Sequence, residues 1–242
     1  MARIGIIGSD GRMGQALARA IAAAGHENAG GVDKGGDVAQ LADRSDALVD
    51  FTAPPALEGN LHAAIGAGIP ILVGTTGLEE RHHAAIDSAA LAIPVLQTGN
   101  TSLGVTLLAH LVREAAARLG PEWDIEILEM HHRMKVDAPS GTALLLGQAA
   151  AQGRGIDLEA HSERGRDGHT GARETGAIGF ASLRGGTVAG EHSVILAGDS
   201  ERLTLSHHAE DRMIFAHGAV KGAAWLIGRS AGRYAMAQVL GL

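Results

Sequence analysis

Between Glu129 and Ala143 the chain reads Glu-Met-His-His-Arg-Met-Lys-Val-Asp-Ala-Pro-Ser-Gly-Thr-Ala. His131, His132 and Lys135 bring two imidazoles and an ammonium into five positions. A histidine titrates near neutral pH and is suited to give a proton to a reacting group. The Pro139-Ser140-Gly141-Thr142 turn then opens a helical stretch. A helix start offers N–H donors and a partial positive charge, so it holds carboxylates. Proton donors beside an anion site suit a carboxylated substrate. Neither an H-E-x-x-H motif nor a Cys/His spacing is present, which argues against a metal. The pairs His82-His83 and His207-His208 read as surface residues.

A second group of residues points to a nucleotide. Gly8-Ser9-Asp10-Gly11-Arg12-Met13-Gly14 follows an apolar run and opens a helix. Gly8 permits a tight turn, Gly11 lets backbone approach a pyrophosphate, and Gly14 allows close helix–strand packing. The spacing is G-x-x-G-x-x-G, which alone is also that of a structural βα turn. Asp33 and Lys34 lie about 20 residues further on, where an acid bonds a ribose 2′-hydroxyl and a cation accepts a 2′-phosphate. Both cofactors, NADH and NADPH, are therefore expected. Gly74-Thr75-Thr76-Gly77 and Thr98-Gly99-Asn100-Thr101 offer small residues and amides for a ribose and nicotinamide. Taken singly, each is an ordinary turn.

The elements that must position these residues alternate in the first hundred positions. Strands are predicted at Ala2–Ile7, Ala29–Val32, Ala47–Phe51, Pro70–Val73 and Pro94–Gln97. Helices are predicted at Met13–Ala24, Ala56–Ala67 and Leu78–Ala89. Apolar strands alternating with helices predict parallel βαβ units, with ligands at the carboxyl ends of the strands. Beyond Gly99 the pattern changes. Ser102–Leu119 reads as a long helix with Gly104, Leu108, Leu111, Val112, Ala115 and Leu119 on one face. Trp123–Glu129 reads as a strand and Gly141–Ala151 as a helix, and Gln152–Gly176 reads as a long loop. Ala177–Leu183, Thr187–Leu196 and Arg202–His207 read as antiparallel strands joined at Arg184-Gly185-Gly186 and Gly198-Asp199-Ser200. A final helix is expected over Met213–Ile227. The fold class expected is α/β: a Rossmann-like dinucleotide-binding domain at 1–102 and an α+β substrate and oligomerisation domain with an open mixed sheet at 103–212. Residues 213–242 are expected to return to the first domain.

Composition excludes several classes. The 242 residues carry 20 Lys+Arg against 27 Asp+Glu, a net charge of −7, which disfavours nucleic acid and anionic membranes as partners. With no cysteine there can be no disulfide, thiolate metal site or cysteine nucleophile, and a cytoplasmic location fits. The apolar stretch Ile4–Ile7 is too short for a signal peptide, and no run approaches the roughly 18 residues of a membrane span.

The His-His-x-x-Lys-x-Asp-Ala-Pro-Ser-Gly-Thr-Ala run resembles the catalytic segment of the dihydrodipicolinate (4-hydroxy-tetrahydrodipicolinate) reductase family of lysine and diaminopimelate biosynthesis. Gly8–Gly14, Asp50-Phe51-Thr52, Gly74–Gly77, Asn100–Val105, Gly168-His169-Thr170-Gly171 and Gly190-Glu191-His192 match in family order over nearly the whole chain. The resemblance implies NADH or NADPH as cofactor, a small dicarboxylate substrate and a homotetramer built on the open sheet. It implies His131 and Lys135 as the acid–base pair, with His132 and the amides of Gly141 and Thr142 holding substrate. Gly8–Met13, Asp33, Lys34, Gly74, Thr75, Thr76, Thr98, Gly99, Asn100 and Thr101 would line the cofactor. Two departures stand out. Only 16 residues separate Asp33 from Asp50, where the family usually has a further strand and helix, and Thr101 sits where many members carry a bulkier residue. An amino-acid dehydrogenase on the same plan and a non-catalytic NADPH-binding regulator are the alternatives. Retention of His131 and Lys135 argues against the regulator. Turnover is expected to need closure of the two domains, with hinges near Ser102 and Arg212.

Overall fold

The structure is a computed structural model that describes residues 1–242. In chain order its elements begin with β1 (Arg3–Ile7), α1 (Arg12–Ala23), β2 (Glu27–Val32), α2 (Val38–Asp43) and β3 (Ala47–Asp50). There follow α3 (Leu57–Ala67), β4 (Ile71–Val73), α4 (Glu80–Ala90), β5 (Pro94–Gln97) and α5 (Leu103–Leu119). Next come β6 (Asp124–His131), α6 (Gly141–Arg154), α7 (Leu158–His161), β7 (Ser162–Glu163), β8 (Ile178–Arg184), β9 (Gly190–Gly198) and β10 (Glu201–Ala209). The chain ends with α8 (Met213–Leu226), β11 (Gly232–Tyr234) and α9 (Met236–Val239).

Two compact units result: Met1–Leu103 with Arg212–Leu242, and Gly104–Asp211. The first holds a six-stranded sheet in the order β11-β5-β4-β3-β1-β2, parallel throughout. Its central strands β1, β3, β4 and β5 are short apolar runs buried on both faces, as parallel sheets require, while the edge strands β2 and β11 are more exposed. On one face Ile4, Ile6 and Leu96 pack with Leu17 and Ile21 of α1 and Ala219, Val220 and Ala223 of α8. On the other, Ile7, Leu48, Val73 and Val95 pack with Leu41, Leu57, Leu61 and Ile86. The strand order reverses at β1, between β2 and β3, which makes the crevice at their carboxyl ends the expected ligand position.

The 16-residue stretch between Asp33 and Asp50 holds only α2, six residues capped by Asp37, whose carboxylate accepts from the Gln40 amide at 3.0 Å. β2 is thus the sheet's edge on that side.

The second unit is a mixed sheet in the order β10-β9-β6-β8-β7. Here the sequence reading needs three corrections. β8 was expected to form a hairpin with β9, but β6 lies between them, antiparallel to β9 and parallel to β8. The Arg184-Gly185-Gly186 segment therefore crosses the end of β6: Gly185 donates its amide to His131 O at 2.9 Å, and Arg133 donates to Gly186 O at 3.3 Å. The presumed loop at Gln152–Gly176 contains the end of α6, then α7 and β7. Its remainder is pinned by Arg166, bidentate on Glu126, and by Arg173, which bonds Glu126 and Asp124. The buried face of α5 is Val105, Leu108, Val112 and Ala116, whereas Leu111 is 43% exposed. Burial along β6 alternates strictly and puts Ile125, Ile127, Glu129 and His131 on the inner face. Ile125 and Ile127 pack with Val112, Leu146, Ala150 and Val194.

Candidate active site

The glycine loop forms a cradle defined by absent side chains. Gly8 takes φ +88°, a left-handed conformation that favours glycine, and donates its amide to Val32 O at 2.8 Å. A Cβ on Gly14 would overlap the backbone of Gly8 and Ser9, so α1 can pack this closely only with glycine there. Gly11 caps α1 without a side-chain hydrogen bond and the first turn carries no acid, so no side chain neutralises the positive end of the helix. Asp33 holds the loop: its Oδ2 accepts from Ser9 Oγ at 2.8 Å and from the Asp10 amide at 2.7 Å. Its Oδ1 makes neither bond. Lys34 is exposed beside it.

A cleft of about 700 Å³ opens there, lined by residues that include Gly8, Gly11, Asp33, Lys34, Thr52 and Asn60. That volume lies in the range of cofactor pockets. The bare loop, the helix start without a side-chain cap and the cleft fit a dinucleotide. The floor rests on Asp50, which is fully buried and accepts from Thr52 N (2.9 Å), Thr52 Oγ1 (2.6 Å) and Asn60 Nδ2 (2.9 Å). Burial raises its pKa, and these hydrogen bonds, with one from Thr75, act against the rise.

The other predicted cofactor residues are placed as follows. Gly74 continues from β4 with its amide on Asp50 O. Thr75 is buried and accepts from the Thr52 amide at 3.2 Å. Thr76 and Gly99 meet at the ends of β4 and β5, where a Cβ on Gly99 would touch the Thr76 methyl at 4.0 Å. Thr98 donates to Asn100 O at 2.8 Å and closes a tight turn. Thr101 is 1% exposed, and its hydroxyl donates to Phe215 O at 2.7 Å. Arg12 and Met13 form the first turn of α1.

In the second unit the predicted residues converge on a carboxylate the motif reading had passed over. Glu129, 1% exposed, accepts from His131 Nδ1 at 2.6 Å, from both Arg184 Nη atoms at 2.8 Å and from the Ser140 amide at 3.2 Å. Burial alone would raise its pKa; the bonds from Arg184 and His131 overcome that and bring it to about 2. Ser140 caps α6, accepting from the Ala143 amide at 3.2 Å. One carboxylate thus ties the imidazole of His131 to the start of the helix bearing Gly141 and Thr142.

Burial lowers the pKa of His131, and Glu129 opposes the shift without cancelling it. His192 of β9 meets His131 edge-on with ring centroids 5.1 Å apart, and its Nε2 lies 3.1 Å from Ser140 Oγ. Burial, then the nearby charge of His131, lowers the pKa of His192 to about 4. Gly190, two residues earlier on the same face, passes over His131: a Cβ there would lie 3.0 Å from Nε2. Glycine keeps that nitrogen open. Lys135 pairs with Asp137 at 2.8 Å, and Arg184 also donates to Asp137 O at 2.7 Å. His132 is half-buried at the start of that loop.

Of the two surface histidine pairs, one member is corrected. His82 is 2% exposed and caps α4, its Nδ1 accepting from the Glu79 amide at 2.9 Å.

Residues 2–101 match the family described as dihydrodipicolinate reductase, N-terminus, and residues 104–240 match its C-terminus. The chain belongs to the dihydrodipicolinate reductase family. Its relatives include the 4-hydroxy-tetrahydrodipicolinate reductases of Zymomonas mobilis, 53% identical over 99% of this chain and 97% of theirs, and of Acidiphilium cryptum, 53% identical over 99% and 98%. The Acidiphilium match runs over 241 positions, which leaves no room for a longer segment after Asp33 in that relative. Members of this family are NAD(P)H-dependent oxidoreductases of lysine and diaminopimelate biosynthesis. Among solved structures the fold matches a dipicolinate-bound dihydrodipicolinate reductase from Paenisporosarcina sp. TG-14, with TM-score 0.74, 21% identity and 97% of both chains covered. It also matches a C. glutamicum DAP dehydrogenase, with TM-score 0.59, 14% identity, 98% of this chain and 93% of that one.

Proposed function

We propose that this chain reduces 4-hydroxy-tetrahydrodipicolinate to tetrahydrodipicolinate and water, with His131 as proton donor. The observation that carries the reading is the double use of Glu129, which fixes His131 and the capping residue of α6 at once. A proton donor and an anion site are therefore built as one piece.

The substrate carries two carboxylates and, once its hydroxyl leaves as water, a conjugated imine. A reduced nicotinamide, when bound, supplies hydride to C4 of that system. Electrons then move toward the ring nitrogen, and His131 Nε2 delivers the proton there. The amides of Gly141 and Thr142 hold one carboxylate at the start of α6. Lys135 exchanges Asp137 for the other carboxylate and stabilises charge as the reaction proceeds. His132 lines the same substrate. The glycine cradle, Asp33 and Lys34 hold the adenosine end of the cofactor, while Gly74–Thr76 and Thr98–Thr101 line its nicotinamide end. Turnover brings the two units together through hinges near Ser102 and Arg212.

The test is oxidation of NADH and NADPH with freshly condensed pyruvate and aspartate semialdehyde. Turnover with either cofactor is expected. Folded protein that oxidises neither would remove the reading.

The chain also forms a homotetramer in this proposal. α6 covers the inner face of the second sheet, while Leu128 and Met130 stand on the outer face beside Ala181 and Leu183, with Leu183 48% exposed. Light scattering that finds an active monomer would refute the assembly. The lack of cysteine suits a cytoplasmic enzyme, and no helix is long and apolar enough to cross a membrane.

A further inference from the structure

The site contains a buried acid with a stronger set of partners than any other group around it. Glu129 is held by a neutral backbone amide, an arginine fork and an imidazole. Its hydrogen bond to His131 Nδ1 settles the other ring nitrogen. With Nδ1 engaged, Nε2 is the remaining ring nitrogen, and the missing side chain of Gly190 leaves free the space a Cβ would fill 3.0 Å from it. We infer that Glu129 is the positioning residue of proton delivery: it fixes Nδ1–H of His131 so that the mobile proton sits on Nε2, and Arg184 limits how tightly that proton is held. The inference rests on the reading of His131 as proton donor.

The physical argument concerns opposed charges. A carboxylate at 2.6 Å stabilises the imidazolium and raises its pKa. Burial acts the other way and is the larger effect, so the imidazole still titrates below its ordinary value. Arg184 takes two of the same carboxylate's hydrogen bonds and shares its charge. The groups facing His131 come from every neighbouring element: Glu129 on β6, Lys135 on the following loop, Arg184 on β8 and His192 on β9. Lys135 and Arg184 lower the imidazole's pKa and Glu129 raises it, while His192 packs edge-on against the ring. Glu129 is therefore the one group among them that favours the protonated imidazole.

The two halves of the inference make shifts of opposite sign. The test is an NMR pH titration of the His131 ring in the full chain, assigned with His131→Ala, beside the pH profile of kcat. In Glu129→Gln the midpoint of His131 should fall by about one pH unit or more. The alkaline limb of kcat should move down with it. In Arg184→Met the midpoint and the limb should both move up. Glu129→Asp, which keeps the charge, should recover part of the Glu129→Gln shift. An unchanged midpoint in both Glu129→Gln and Arg184→Met would overturn the inference. If Glu129→Gln fails to fold, Arg184→Met decides alone: a raised midpoint supports the inference, and an unchanged or lowered one overturns it. Midpoints that move as expected while the limb of kcat stays fixed would show that Glu129 and Arg184 set the charge of His131, but would sink His131 as proton donor and the positioning role with it.

Discussion

The two candidate sites are built by opposite means. The cradle at Gly8–Gly14 is made of backbone, its shape set by the side chains it lacks, and its one organising acid, Asp33, stands at the rim. The site around Glu129 is made of side chains, with an acid, an arginine and two imidazoles balanced in a buried space. A cofactor that brings its own reactivity needs to be gripped by groups that do no chemistry. A substrate that must be protonated needs groups whose charge is set by their neighbours. Substitutions in the cradle should therefore change binding, and substitutions around Glu129 should change rate and pH dependence.

The largest effect expected from this contrast is on rate. His131→Ala and Lys135→Ala should each lower kcat by roughly 10²-fold or more, the usual scale for a lost general acid. The Kd for NADH, measured by fluorescence, should hold. Full kcat in His131→Ala at saturating substrate would erase the distinction between the two regions.

Acid stability comes next. His192 is held neutral when folded, with a pKa of about 4 against 6.5 for an ordinary histidine. Between these values the unfolded chain binds a proton that the folded chain refuses, so stability falls as pH drops from about 6.5 to 4. The loss amounts to about 2–3 kcal/mol for this one group. Above pH 6.5 its contribution is constant. Urea unfolding at pH 7.5 and 4.5, for the native chain and His192→Phe, should show a weaker pH dependence in the variant. Equal slopes would contradict the burial argument.

In the cradle, Gly14→Ala forces a methyl into the backbone of Gly8 and Ser9. Overpacking of this kind costs about 1–3 kcal/mol. Weaker binding of NADH and NADPH alike, by calorimetry, is the expected signature, with the pH profile of kcat unmoved. A shifted pH profile would mean the regions are not separable.

The smallest effect should be the most selective. Lys34→Ala should weaken NADPH by about 1–2 kcal/mol, the scale of one charge-assisted contact, and leave NADH nearly unchanged. Equal losses would show that Lys34 does not read the 2′-phosphate.

The same contrast explains what could be read from the sequence. The parallel sheet was legible because runs such as Ile4–Ile7 and Ile71–Val73 are apolar on both faces and end in glycine. α2 and β11 were missed because six and three residues carry no period. The placement of β8 was misread because alternation fixes which face a residue occupies and says nothing of which strand lies beside it. His82 escaped because a cap depends on one hydrogen bond, and His-His reads as polar surface. Glu129 was the costliest omission. Its signal was present: Ile125, Ile127, Glu129 and His131 alternate, so an acid and a histidine share the apolar face of one strand. An acid there demands partners. Arg184 as that partner was not legible, because it arrives from 55 residues away through the unanticipated pairing of β6 with β8.

The first unit is assembled from both ends of the chain. Ala216, Ala219, Val220, Ala223 and Leu226 of α8 complete the core against Ile4 and Leu17, and β11 extends the sheet beyond β5. A ribosome delivers the N-terminal part first, so the sheet emerges with one apolar face bare and the outer edge of β5 unpaired. The second unit, Gly104–Asp211, is continuous and has all its own partners before α8 is made. The part synthesised first is thus the part that folds last, against the usual order of domains during synthesis. Until Arg212–Leu242 emerges, the nascent chain should be a client for chaperones. A message broken after codon 211 would leave a folded insert carried on an unfinished host.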